Sequence, residues 1–194
     1  MTTPKTFSLS SKEKAFCLAL AKQSILYSLS NHSLFKLNET ELNKVPKKLF
    51  ENKACFVTLK LNNDLRGCIG HLQSVQPLYE DVIENAYSAA FSDSRFSPLT
   101  EEEFEYVKIE ISILTDPIEL NFKDPSDLLK KITPKKDGLI LKKGPKSATF
   151  LPSVWEEIHT KEEFLAELCL KAGLSSSAWE ENGMKVFTYS AIKI

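Results

Sequence analysis

The chain's clearest pattern is a period of two. In CFVTLKL (55–61), Cys55, Val57, Leu59 and Leu61 alternate with Phe56, Thr58 and Lys60, which predicts a strand with one buried face. Asn62-Asn63-Asp64 follows, residue types that tolerate left-handed dihedrals, so 55–61 and 65–71 are expected to form an antiparallel hairpin. VKIEISIL (107–114) alternates most cleanly, with Val107, Ile109, Ile111 and Ile113 set against Lys108, Glu110 and Ser112. A period of three to four marks Ser10–Ser30 as a helix. Ser10 and Glu13 have capping-box spacing there, and Ala15, Leu18, Ala19, Ile25, Leu26 and Leu29 are expected to form its apolar face. Pro46 opens a short helical segment. Pro77 opens a longer helix with Glu80 and Asp81 in its first turn and Leu78, Val82, Ile83, Ala86, Tyr87 and Ala90 as its stripe.

Beyond Asp116-Pro117 the elements shorten. PSDLLKKI (125–132) reads as a helix, 138–144 and 147–152 as strands about a tight connection, and 153–158 as a helical turn. Thr160 and Glu163 cap a helix that ends at Gly173, and 184–194 reads as one strand. The hairpin and the half-wet strands favour antiparallel pairing. The expected fold class is α+β: a mainly antiparallel sheet flanked by helices, in one domain (1–194) with a smaller subdomain around 116–160.

Composition narrows the function classes. Of 194 residues 42% are hydrophobic, enough for a full core. A net charge of −1 gives no electrostatic reason to expect nucleic-acid or anionic-membrane binding, and KKGPK (142–146) reads as a solvated hairpin. The N-terminus has no apolar run of signal-peptide type, and no segment has membrane-spanning length. Cys17, Cys55, Cys68 and Cys169 are widely spaced, with no C-x-x-C pair, which suits reduced thiols in the cytoplasm. No metal-ligand spacing, phosphate loop or nucleophile elbow occurs, so no metal or nucleotide cofactor is indicated.

The candidate chemistry lies in DLRGCIGHL (64–72). Strict alternation puts Arg66, Cys68 and Gly70 on one face and Leu65, Gly67, Ile69 and His71 on the other, with Leu65 and Ile69 as the core side. A guanidinium two residues from a thiol would favour the thiolate, and Gly67 and Gly70 would leave backbone open to a ligand. The competing reading makes Cys68 a small packed residue and the glycines a bulge. His71 falls on the opposite face from Cys68, so a local Cys–His pair is not expected. Asp93 and Arg95, in SDSRFSP (92–98), could pair locally, or Arg95 could join Arg66 around an anion. Trp155 is either core or a cleft-edge aromatic.

LRGCIG (65–70) is similar to the signature of the AMMECR family. FVTL (56–59), AYSAAFSDSRFSP (86–98), DGLIL (137–141), ATFLPSVWEEI (148–158), EFLAELCLKAGL (163–174) and Trp179 continue the match in family order. The resemblance implies an α+β fold round an antiparallel sheet with a smaller subdomain, in a cytosolic protein whose family has no established activity. It also resembles component A of the AmmeMemoRadiSam system, which implies Memo-type and radical-SAM proteins as partners. Motif by motif it marks Arg66, Gly67, Cys68 and Gly70, then Asp93 and Arg95, then Thr149 and Trp155. Three functions stay open. One is a thiol enzyme in which Cys68, activated by Arg66, acts on a small or peptide-borne anionic group. Another is a binding or adaptor module whose LRGCIG groove takes an anion or a partner protein. The third is a redox sensor, for which no resolving thiol lies nearby.

Overall fold

The structure, a computed structural model, describes residues 7–194. The chain forms two compact units, the first running through Leu114 and taking up Ile192–Ile194, the second spanning Thr115–Ala191.

In the first unit, helix α1 (Ser11–Asn31) starts at the expected capping box: the Ser10 side chain accepts the Glu13 N–H, and the Glu13 carboxylate accepts the Ser10 N–H. Its buried stripe is Cys17, Leu20, Ala21, Ser24, Ile25 and Ser28. The expected face is thus rotated, with Ala15, Ala19 and Leu26 exposed. Two serines lie in the true stripe, where hydrogen bonds satisfy them. Ser24 Oγ donates to the Ile83 carbonyl at 2.9 Å and Ser28 Oγ to the Ser33 carbonyl at 2.8 Å. Helix α2 (Glu39–Leu42) and a single 3₁₀ turn (Lys47–Phe50) lead into strand β1 (Cys55–Leu61). Asn62 and Asn63, both at positive φ (54° and 71°), make the tight turn into strand β2 (Asp64–Gly70).

Helix α3 (Leu78–Phe91) packs on the face of β1 and β2 that carries Val57, Leu59, Gly67 and Ile69. Helix α4 (Glu101–Phe104) is capped by Thr100 and precedes strand β3 (Lys108–Leu114), which pairs antiparallel with β1 and sets Ile111 opposite Val57. Cys17, Ile25, Val57, Leu59, Val82, Ala86, Ile111 and Ile113 share one core.

The second unit contains strand β4 (Ile118–Glu119), helix α5 (Pro125–Lys131), the hairpin β5 (Gly138–Lys143) and β6 (Lys146–Phe150), and helix α6 (Lys161–Lys171). The last segment, expected as one strand, is two: β7 (Lys185–Tyr189) and β8 (Ala191–Lys193). Strand β7 lies between β4 and β5 in the order β4-β7-β5-β6, whereas β8 joins the first sheet in the order β2-β1-β3-β8. Between them, Ser190 exchanges bonds with Thr115, its N–H donating to the Thr115 hydroxyl and its carbonyl accepting the Thr115 N–H, each at 2.9 Å. The second unit therefore runs well past residue 160, because β7 is an inner strand of its sheet. Trp155, Phe164, Leu168 and Val186 lie in its core. The observed class is α+β, with two antiparallel sheets.

Candidate functional site

The alternation expected along β2 breaks at its start. Leu59 pairs with Gly67 but Lys60 pairs with Leu65, so Arg66 is the extra residue of a β-bulge. The consequence is the reverse of the expected facing: Leu65 is 43% exposed and Arg66 only 8%. The Arg66 guanidinium turns to the segment after α3. Nε and Nη2 both donate to the Glu103 carboxylate at 2.9 Å, and Nη2 also donates to the Ser97 carbonyl at 2.9 Å. A bidentate pair of this kind is strong and directional. Arg66 is thus a buried clasp holding β2 to the start of α4.

Because Arg66 binds only the ionised form, Glu103 is held down from the usual 4.5 to about 2, with burial opposing and the Thr100 N–H assisting. A carboxyl whose folded pKa is depressed stabilises the fold above its unfolded value and loses that contribution as pH falls through the folded one. Stability should therefore fall between about pH 4.5 and pH 2, and Glu103→Gln should flatten that limb. Urea unfolding of both proteins across this range checks it; parallel acid limbs would show that the pair contributes nothing.

Cys68 faces away from the helices and sits opposite Thr58, whose Oγ1 is 3.3 Å from Cys68 Sγ, within hydrogen-bond contact. Its main chain is held from outside the sheet. The Cys68 N–H donates to Asp93 Oδ2 at 2.9 Å and its carbonyl accepts Arg95 Nη2 at 3.2 Å. Asp93 in turn grips Arg95, accepting Nε on Oδ1 at 2.9 Å and Nη2 on Oδ2 at 2.7 Å. Arg95 holds the Asp93 carboxyl well below the usual carboxylate range. Arg95 is itself raised, chiefly by Asp93 and with a smaller contribution from the nearby Cys68 thiol. The arginine in contact with Cys68 is thus Arg95, through the Cys68 carbonyl, and not Arg66, whose bonds go to Glu103 and Ser97. The Arg95 side chain is 53% exposed although its position is fixed.

Gly67 and Gly70 do not give a ligand clearance. A Cβ on Gly67 would lie 2.1 Å from the Ala89 carbonyl oxygen, so this glycine lets α3 rest directly on β2. A Cβ on Gly70 would lie 2.3 Å from Phe56 Cγ and 2.5 Å from the Cys55 carbonyl oxygen. Both are packing positions.

A second polar cluster was not expected. Asp81, on α3, is fully buried, yet it accepts the Cys55 N–H at 2.7 Å, Asn85 Nδ2 at 3.0 Å and Gln76 Nε2 at 3.1 Å. His71 Nδ1 lies 2.6 Å from Asp81 Oδ1, and the His71 side chain is 45% exposed. Read as a first-turn acid favouring the helix dipole, Asp81 instead ties β1, α3 and the connection after β2 together. The one signal for it was the i, i+4 pair Asp81 and Asn85 inside an otherwise apolar stripe. His71 reaches Asp81 on the helix side, away from the face that carries Cys68.

The remaining candidates lie in the second unit. Trp155 is buried, stacks on Phe164 with ring centroids 3.8 Å apart and donates Nε1–H to the Asp137 carbonyl at 2.7 Å, so its ring belongs to the core. Thr149 donates its hydroxyl to the Leu139 carbonyl at 2.9 Å and contacts the Tyr189 hydroxyl. Cys17, Cys55 and Cys169 are buried, and burial pushes each thiol up, Cys17 to about 12; Cys68 alone of the four is partly exposed. Among the described residues, no group of three or more His, Cys, Asp or Glu side chains is placed to hold a metal, and no helix is long and apolar enough to cross a membrane.

Comparison with known proteins gives the chain's family. A protein of Thermofilum pendens (strain DSM 2475 / Hrk 5) is 36% identical, the match covering 94% of this chain and 89% of that one. A protein of Methanopyrus kandleri is also 36% identical, over 94% of this chain and 88% of its own. The crystal structure of an uncharacterized protein from Pyrococcus horikoshii superposes with a TM-score of 0.80 at 34% identity, covering 96% of this chain and 93% of that chain. The AMMECR1 family model matches residues 18–194. On that match and these relatives, the chain belongs to the AMMECR1 family.

Proposed function

We propose that the protein is a thiol-dependent enzyme in which Cys68 acts on a small or peptide-borne anionic group, and that Arg95 receives the anion. The supporting observation is the pairing of the one partly exposed thiol with a cation whose position is fixed. Asp93 holds the guanidinium at two points, yet about half of its side chain remains open to solvent. A preorganised cation of this kind binds an anion without first losing conformational freedom. Thr58 orients the sulfur from the neighbouring strand. In this reading Arg66 is a positioning residue that keeps β2 and the 93–103 segment in register. The family resemblance of the sequence, rather than the site, supports placing the protein in the reducing cytoplasm with Memo-type and radical-SAM proteins as partners.

Competitive alkylation tests it. With limiting reagent, Cys68 should be modified before Cys17, Cys55 and Cys169, read by peptide mass spectrometry. Anionic iodoacetate should gain on neutral iodoacetamide at Cys68, and Arg95→Ala should reduce that gain roughly fivefold, the worth of about 1 kcal/mol of partly screened attraction. A binding module in which Cys68 merely packs gives the opposite result, with Cys68 protected. Modification of another cysteine first, or an unchanged reagent ratio in Arg95→Ala, overturns the proposal.

A further inference from the structure

A cavity of about 330 Å³ opens in the first unit between residues 34–42 and the outer face of α3, and it shares no lining residue with the Cys68 site. Its size is at the lower end of small-molecule sites. The floor is apolar and aromatic: Phe35, Tyr79 and Ile83 are buried in the unit's core. Leu34, Leu37 and Leu42 form half-buried walls.

One wall carries two carboxylates, Glu80 and Glu84, a single helical turn apart and half-buried. Like charges at this spacing are mildly destabilising, and burial adds a desolvation cost. Lys36 stands exposed at the rim, and among the described residues neither carboxylate forms an ion pair with it or with any other cation. Their partners are neutral: Glu80 Oε1 accepts the Tyr79 hydroxyl at 2.7 Å, and Glu84 Oε2 accepts Gln76 Nε2 at 2.8 Å. The other oxygen of each carboxylate accepts no hydrogen bond from the described residues. Burial together with Glu80 also pushes Tyr79 up to about 12, in keeping with a cavity that disfavours added negative charge.

We propose that this cavity is a binding site for a small organic cation. A primary ammonium sits between Glu80 and Glu84, and an apolar body of about the bulk of one aromatic ring lies on Phe35 and Ile83. The two carboxylates supply charge-assisted acceptors, the ring and side-chain floor takes the apolar part, and the unpaired acid pair gains its missing counter-charge.

The test uses the full chain and three probes of similar bulk: phenethylammonium, neutral 2-phenylethanol and anionic phenylacetate. Binding is followed by NMR at the methyl groups of Leu42 and Ile83. The ammonium should give saturable shifts at those methyls, the alcohol should bind at least tenfold more weakly, and the carboxylate should not bind. Glu80→Gln and Glu84→Gln, which keep size and shape, should each weaken the ammonium by about three- to tenfold and leave the alcohol unchanged. Leu42→Trp, which fills the cavity from a half-buried wall, should abolish the shifts at Ile83. Equal affinity for ammonium and alcohol, no saturable shift up to about 10 mM, or indifference to both glutamine variants would each overturn the proposal.

Discussion

Gly67→Ala should cost the protein about 3 kcal/mol or more, although it adds a single methyl group. The added carbon would lie 2.1 Å from the Ala89 carbonyl oxygen, a backbone atom in the last turn of α3 that no rotamer change can move aside. Relief requires the helix to lift from β1 and β2, opening the layer formed by Val57, Leu59, Val82 and Ala86. Close-packed cores resist such shifts, and domains of this size have only about 5–15 kcal/mol to lose. Denaturant unfolding of the variant measures the cost, with Gly173→Ala as comparison. Gly173 has a positive φ of 71° and nothing within 4 Å of an added Cβ, so its cost should be only the strain of about 1 kcal/mol. If Gly67→Ala proves no worse than Gly173→Ala, close helix contact is not the reason for the glycine. The distinction matters for function, because it removes Gly67 from the list of residues that could make room for a ligand.

Asp81→Ala should cost about 3–5 kcal/mol, the range for breaking a buried charged network by removing one partner. The carboxylate accepts the Cys55 N–H, Asn85, Gln76 and the His71 ring, and its loss would leave the buried Cys55 amide without its acceptor. An orphaned buried amide alone costs about 1–3 kcal/mol. His71→Ala should cost far less, because the imidazole is 45% exposed and the carboxylate keeps three other donors. Unfolding free energies for the two variants check the ranking. Near-equal values, or a loss below about 1 kcal/mol for Asp81→Ala, would mean that the network is not what ties β1 to α3.

How much of this was legible in the sequence depended on how local each feature is. The β1–β2 hairpin was readable because Asn62 and Asn63 can adopt the positive φ that its turn needs, and β3 because its alternation runs unbroken from Val107 to Ile113. The bulge at Arg66 was not readable. Parity arguments assume one residue per pairing position, and a single extra residue reverses the facing of its neighbours. That one slip exchanged the expected places of Leu65 and Arg66, and with them the identity of the cation beside Cys68. The α1 face is not legible from apolar positions alone, because its buried stripe includes Ser24, which bonds to the Ile83 carbonyl on α3, and Ser28, which bonds to the nearby Ser24 and Ser33 carbonyls. The His71–Asp81 contact joins two elements through side chains alone, and no periodicity announces such a pairing.

The separation of β7 from β8 by Ser190 has a consequence for the order in which the molecule can be built. The second unit is an insertion in the first: the strand that completes the order β2-β1-β3-β8 emerges only after all of Thr115–Ala191 has been synthesised. During translation β3 must therefore wait as a provisional edge, with the Ile111 main chain lacking the Ile194 partner that it bonds in both directions at 3.0 and 2.9 Å in the finished fold. Bare edges of this kind recruit other chains. The strand's outward lysine and glutamate, Lys108 and Glu110, are the residue types that discourage such pairing.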